Sequence, residues 1–206
     1  MRQEIIPGKL PTTLKTYLNI QKSNKKISIA PGVIIDESAG RVLIGEGTQV
    51  CHGVVIQGPV VIGSGCRIGN YSFIRPGTLI GNNVQTGFST EIKNSVIESG
   101  TTIGPQCFIS DSVLRQNVYL GAQVRTSNHR LDEGFVHVRL NGEDINTGCK
   151  KLGCYIGLRA RIGVQVIILP GRYIVADTII GPRITIERNL EKGIYNLRQE
   201  IIRKEG

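Results

Sequence analysis

Tryptophan is absent from the 206 residues and phenylalanine occurs only four times. A core built on aromatic bulk is therefore excluded, although 40 % of the chain is apolar and must be buried somewhere. No long apolar run is present, which excludes a helix that crosses a membrane. Met1 to Pro7 carry no apolar signal segment. The five cysteines (Cys51, Cys66, Cys107, Cys149 and Cys154) are odd in number and irregularly spaced, so a disulfide framework is not expected. Reduced thiols in a cytoplasmic chain are the expectation. Histidine is scarce as well, with only His52, His129 and His137. Neither these nor the Cys149/Cys154 pair has the spacing of a structural zinc site, and no metal is expected. Acidic residues are outnumbered, 16 against 25 Lys and Arg, for a net charge of +9. That balance fits anionic partners such as phosphates, nucleotides or nucleic acid, or simply a solvated basic surface.

What the chain does have is a six-residue beat. Ile44, Val50, Ile56, Ile62, Ile68, Ile74 and Ile80 recur at every sixth position, and Gly45, Gly63, Gly69 and Gly81 directly follow four of them. After a slip the beat returns as Ile156, Ile162, Ile168, Ile174, Ile180 and Ile186. Period six matches neither an α-helix nor a simple alternating strand. It is the hexapeptide signature of a parallel β-helix, each repeat being one short strand and one corner. The aliphatic residue points inward onto its counterpart in the next coil, and the small residue after it lets the chain turn. A high glycine content, 26 residues, suits a fold with so many corners.

The chain divides accordingly. Residues 1–27 precede the repeat as an N-terminal extension, with a short helix expected over Thr12 to Ile20 and a basic run at Lys22, Lys25 and Lys26. The β-helix occupies residues 28–188, with a small loop at Asp36 to Arg41. Ile97, Ile103 and Ile109 hold one shifted phase and Leu114 and Leu120 another, so residues are gained or lost at corners there. From 127 to 152 the repeat is lost. A loop of this length in a compact solenoid is usually functional, and Phe135 to Leu140 followed by Asn141-Gly142 reads as a strand entering a hairpin turn. Over 189–206, Leu190, Ile194, Leu197 and Ile201 switch to spacings of four, three and four, which predicts an amphipathic C-terminal helix capping the open end. The expected fold class is all-β.

Several segments carry a resemblance: Arg75-Pro76-Gly77, Glu91 to Ser95, Asn117 to Ala122, Gly148 to Gly157, and Ile168-Leu169-Pro170-Gly171. Over roughly residues 44–190 the chain resembles the acetyltransferase domain of the bifunctional glucosamine-1-phosphate acetyltransferase / UDP-N-acetylglucosamine pyrophosphorylase family. The resemblance implies a left-handed coil of three hexapeptides per turn and a parallel homotrimer with active sites between subunits. It implies an acyl-CoA, such as acetyl-CoA, lying along a groove between coils, and a sugar phosphate or nucleotide sugar deeper in that groove. It assigns Arg75 and Lys93 to the sugar phosphate, where a forked guanidinium and a point charge suit the task. Glu91 and Asn128 match pocket positions. Ala122 and Ala176 fall where small residues let backbone amides approach the CoA chain. The family's catalytic histidine aligns with Pro105, an adjoining tyrosine with Phe108, and an asparagine with Tyr119. Tyr119 and Gln106 are accordingly counted among the substrate-binding candidates.

Acyl transfer to an amine needs a proton acceptor and donors for the developing oxyanion. The proline side chain supplies neither. His129, next to Asn128, is the candidate base, with Asp132 or Glu133 to orient it and Glu91 as the fallback. Cys107, two residues from Pro105, lacks any evident device to activate its thiol and reads as a packed residue. The late arginines Arg159, Arg161, Arg172, Arg183 and Arg188 suit the phosphates of CoA, Arg183 and Arg188 in particular. Nucleic acid is the competing partner, but no aromatic residues interleave with these arginines as stacking platforms require. The sequence thus supports an acyl-CoA-dependent acyltransferase acting on a phosphorylated sugar or amine. A non-catalytic trimeric scaffold or ligand-binding protein is the alternative, motivated by Pro105.

Overall fold

The computed structural model describes residues 26–140 and 142–198. They coil as a three-sided parallel β-solenoid. Face I holds nine strands, from Ser28–Ile29 to Ile194–Tyr195; face II holds eight, from Ile34–Asp36 to Thr185–Ile186; face III holds seven, from Val42–Ile44 to Tyr173–Ile174. Each strand pairs in parallel with its equivalent one coil away, as Val50 with Ile68 on face I and Ile56 with Ile74 on face II. The core is the expected aliphatic stack: Ile56, Ile68, Ile74, Ile92, Ile109 and Ile156 are all fully buried. Burying one such side chain stabilises the fold by about 1.5–3 kcal/mol, so a column of them replaces the missing aromatics. Among the described residues no helix is long and apolar enough to cross a membrane.

The slips in the beat have a single structural origin. Ile74 pairs with Ile92, eighteen residues on, whereas Ile92 pairs with Ile109 only seventeen on. The missing residue is lost at the corner between faces II and III. That corner tightens around Asn94 and Asp111, at φ of 44° and 49°, a left-handed conformation that Asn and Asp tolerate better than most residues. Thr86 and Thr126 fill core positions where the beat expects an aliphatic residue. Their hydroxyls accept backbone N–H groups of Gly69 and Ser110 at 3.0 and 2.8 Å.

At the same corner, one coil later, the long insertion leaves the solenoid between Thr126 and Tyr155. It forms the anticipated antiparallel hairpin, His137–Leu140 against Glu143–Asn146. A separate small core of Val136, Val138 and Leu152, with Leu140 and Cys149 packed on it, holds the hairpin down.

The C-terminal helix expected over 189–206 does not form in its described part. Leu190 bridges Ile174, and Ile194–Tyr195 pairs with Ile179–Ile180 as the ninth strand of face I. Ile179 N–H donates to Gly193 O at 2.9 Å and Gly181 N–H to Tyr195 O at 2.6 Å. Strand pairing satisfies the open edge of the last coil, which a helix laid across it leaves unpaired. Leu190 and Tyr195 still pack on the core, so the apolar spacing is used, but by a coil. The helix expected over Thr12 to Ile20 lies outside the described residues.

Candidate active site

The corner between faces II and III gathers most of the polar candidates. On face II, period-two alternation sends Arg75 outward in one coil and Glu91 and Lys93 outward in the next. Arg75 Nη1 donates to Glu91 Oε1 at 2.8 Å, and the Arg75 guanidinium lies 5.6 Å from the centre of the Phe73 ring. Lys93 Nζ stands 3.5 Å from Asp111 Oδ2. Each cation thus has one carboxylate neighbour, and only one of the five Arg75 N–H donors is committed to it.

Asp111 is the centre of this corner, and the sequence reading passed over it. Its side chain is only 6 % exposed. Asn94 Nδ2 donates to Oδ1 at 2.6 Å; Ser110 Oγ and Asn128 Nδ2 donate to Oδ2 at 2.7 and 2.6 Å. Burial alone raises a carboxyl's pKa. Here the donors Asn94, Ser110 and Asn128, with the Lys93 charge, outweigh burial and hold Asp111 below the usual carboxylate range. The buried anion fastens the insertion to the coils: Leu152 N–H donates to Asn128 O and Gly153 N–H to Asp111 O. The available signal was the five-residue step from Ile109 to Leu114, which forces a left-handed corner at Asp111.

Asn128 therefore reaches the site, by bonding Asp111 and Ser110. His129, beside it, is exposed and forms a backbone bridge with Lys151. Its ring makes no hydrogen bond to a described residue. The orienting partner expected for it is engaged elsewhere. Asp132 takes Arg130 Nε at 2.8 Å, the Arg130 Nη2 group, and Gly134 N–H at 3.2 Å. Those contacts, Arg130 first, hold it well below the usual carboxylate range. The histidine–carboxylate pair of the loop is instead His137 with Asp144, Nδ1 to Oδ2 at 2.8 Å. Within one chain the hairpin leans toward later coils and away from Arg75. Asn189 Nδ2 donates to Arg139 O at 2.8 Å, and a Cβ at Gly171 (φ 73°) would lie 2.3 Å from His137 O.

The remaining candidates occupy other corners. Gln106 and Ala122 turn from face I to face II. There Gln123 Nε2 donates to Gln106 Oε1 at 2.9 Å, Gln165 Nε2 to Gln123 Oε1 at 2.8 Å, and Arg183 Nε to Gln165 Oε1 at 3.3 Å. This ladder along the corner was not foreseen. Ala122 is pressed against the coil before it: a Cβ on Gly104 would stand 2.7 Å from its amide nitrogen. Ala176 lies at the corner from face III to face I, where a Cβ on Gly157 would come within 2.5 Å of its nitrogen. A single chain does not place the two alanines in one groove. Tyr119 projects from face I beneath the Arg161 guanidinium, 4.9 Å from the ring centre, and is not brought to Arg75 and Lys93. Arg188 is exposed beyond the last strand of face II. Cys107 is buried, and burial pushes its thiol up to about 11, so it is packed and unreactive as anticipated. Among the described residues no cluster of His, Cys, Asp and Glu can hold a metal ion.

Known proteins resemble this chain in sequence along nearly its whole length. The GMPPB C-terminal domain family matches residues 56–152. The uncharacterized acetyltransferase YaiX of Escherichia coli is 64 % identical over 202 residues, 98 % of this chain and 88 % of that protein. A bifunctional sugar-1-phosphate nucleotidylyltransferase/acetyltransferase of Sulfurisphaera tokodaii is 39 % identical over 156 residues, covering 76 % of this chain and 39 % of that protein. Among solved structures, a putative acetyltransferase of Bacillus cereus aligns with a TM-score of 0.44 at 17 % identity, over 76 % of this chain and 73 % of that one.

Proposed function

Because the chain belongs to the hexapeptide-repeat acyltransferases, with their left-handed parallel β-helix, we propose that it transfers an acyl group from acyl-CoA to the amine of a phosphorylated sugar. The observation that carries the acceptor class is the convergence of Arg75 and Lys93 on one corner. The free donors of Arg75 suit a phosphate through two parallel hydrogen bonds, and Lys93 adds a point charge. In the reaction the amine nitrogen attacks the thioester carbonyl carbon. A C–N bond forms, the C–S bond breaks, and CoA leaves as the thiol. The surplus amine proton passes to a base on the protein. His129 is our candidate for it, since its exposed ring sits one residue from Asn128. Glu91, beside Arg75, is the second. Backbone amides of the coil corners at Ala122 and Ala176 are the candidates for holding the CoA chain, with Arg183 and Arg188 for its phosphates.

The protein acts, in this reading, as a homotrimer, which brings corners of neighbouring chains into one groove. The outer side of face III supports it: Leu43, Val61, Val96 and Val113, with the already buried Leu79 between them, stand in register as one apolar column, and its unburied members favour a partner surface. Light scattering should give about three times the 22.5 kDa chain mass. The function itself is tested by thiol release from acetyl-CoA against amino sugars, their phosphates and nucleotide-linked amino sugars. Release with a phosphorylated acceptor, lost on Arg75→Ala, supports the reading. No release with any of them rejects it.

A further inference from the structure

The corner between faces I and II carries two exposed aromatic rings that the chemistry above leaves unused. Tyr71 is 62 % exposed and Phe88, one coil on, is 50 % exposed; their ring centres are 5.8 Å apart at an interplanar angle of 74°. In a chain with four phenylalanines and no tryptophan, leaving two rings in water forgoes scarce core material. Tyr71 is also held at φ 57°, a conformation disfavoured for a bulky residue. The coil before it is notched to seat the ring: a Cβ on Gly53 would stand 2.5 Å from both Cδ1 and Cε1 of Tyr71. Such a ring is supported from below and edge-braced by Phe88.

The pair and the proposed phosphate cations flank the outer side of face II, the rings at its face I corner and Arg75 and Lys93 toward its face III corner. Phe73 and Arg75 leave face II on its outer side by strand alternation, and Tyr71 stands at the turn that leads into that strand. Glu91 pairs with Phe73 in the next coil, and Lys93 follows it outward. Tyr71 and Arg75 are four residue steps apart, with Phe73–Ile74 the strand between them, so their Cα atoms lie at most about 14 Å apart, a span a nucleoside diphosphate bridges from base to terminal phosphate. We propose that Tyr71 and Phe88 form a stacking platform for the base of a nucleotide-linked sugar, whose diphosphate lies on Arg75 and Lys93. This rests on the phosphate role given to those two cations above, and it narrows the acceptor from phosphorylated sugars in general to nucleotide-linked ones. Aromatic stacking accepts any base. Gln106, whose N–H donates to Phe88 O at 2.7 Å, is the polar side chain at the same corner of the next coil and is the candidate to read a base edge.

The test is isothermal titration of the intact protein with UDP and GDP, and with glucosamine 1-phosphate and inorganic phosphate as base-free probes. Wild-type protein should bind at least one nucleoside diphosphate about tenfold or more tighter than either base-free probe. Tyr71→Leu and Phe88→Leu keep apolar volume but remove the aromatic face; each should weaken nucleotide binding roughly 5- to 100-fold, the worth of one base–aromatic stack. Acetyl-CoA and glucosamine 1-phosphate should bind within twofold of wild type, and Phe88→Trp should bind nucleotide at least as well. Nucleotides binding no tighter than phosphate, or unaffected by both leucine substitutions, overturns the platform. Should acyl transfer to glucosamine 1-phosphate then persist, the platform alone has failed and the acyltransferase reading stands. Should the leucine substitutions lower the oligomeric mass and leave nucleotide affinity unchanged, the rings are a contact between copies of this chain and the proposal is wrong.

Discussion

Asn128 Nδ2 lies 2.6 Å from Asp111 Oδ2, and Lys93 Nζ reaches the same oxygen at 3.5 Å. The root of the inserted loop and Lys93, the lysine proposed for the acceptor's phosphate, are thus referred to one buried carboxylate. Replacing Asp111 with alanine strands the donors of Asn94, Ser110 and Asn128. Each stranded donor costs about 1–3 kcal/mol if it finds no water. The melting temperature should fall by several degrees, at about 2–4 °C per kcal/mol for a chain of this size. Hydrogen exchange should show the loss concentrated in 127–153. An unchanged melting temperature would refute the anchoring role.

The same contact has a pH signature. The native-state pKa of Asp111 is depressed, so its contribution is fully present above the ordinary carboxyl value near 4. It is lost as pH falls through the lower folded value. Melting temperature measured from pH 7 down to pH 3 should therefore drop at the acid end. Asp111→Asn should flatten that part of the curve, because its side chain does not titrate. Equal acid slopes in the two proteins would assign the drop to other carboxylates.

The aliphatic beat made the solenoid legible because inward residues depend only on the coil period. Corner chemistry was less legible. Asp111 matters because its corner is one residue short, and a phase slip signals a changed corner without saying which polar atoms meet there. The ladder from Gln106 to Arg183 joins residues separated by the insertion, so no local pattern announces it. Leu190, Ile194 and Leu197 fit a helix as well as a coil; the open edge of the preceding strands decided in favour of the coil. Arg75, Glu91, Lys93 and Asn128, named from the resemblance, lie at one corner of the structure, while Tyr119 and Ala176 stand on other sides of the solenoid.

Arg75 and Lys93 should be separable by kinetics. Arg75→Ala should raise KM for a phosphorylated acceptor roughly 10- to 100-fold, the worth of charge-assisted hydrogen bonds at 1.5–3 kcal/mol. The KM for acetyl-CoA should be unchanged. Arg75→Lys should recover little, since an ammonium lacks the forked donors. Lys93→Ala should do less, because an ammonium offers a point charge without the paired donors of a guanidinium. Equal losses for phosphorylated and unphosphorylated acceptors would dissociate both residues from phosphate.

Gly171 tests whether the hairpin is seated or merely tethered. A Cβ there would meet His137 O at 2.3 Å, and φ is 73°. Gly171→Ala should push the hairpin off its coil and open 136–147 to proteolysis. The solenoid below, held by its own ladder of strands, should keep most of its exchange protection. If protection were lost throughout the chain, hairpin and solenoid would form one cooperative unit.

His129 and His137 make opposite bids for the proton. His137 has a carboxylate partner, Asp144 at 2.8 Å, but the hairpin carries it toward the Gly171 coil. His129 has no such partner among the described residues, yet it adjoins Asn128 and hence the Asp111 corner. If proximity to the phosphate corner decides, His129→Ala should lower kcat by about 10²–10⁴, the usual worth of a general base. CoA affinity should stay within twofold, and the loss should shrink at high pH, where a larger share of the amine arrives neutral. His137→Ala should then change kcat by less than about threefold. The reverse pattern would move the base to the hairpin pair, and it would require the hairpin of one chain to reach the acceptor bound by its neighbour. Small effects from both substitutions, with a large one from Glu91→Gln, would leave the face II carboxylate as the proton acceptor.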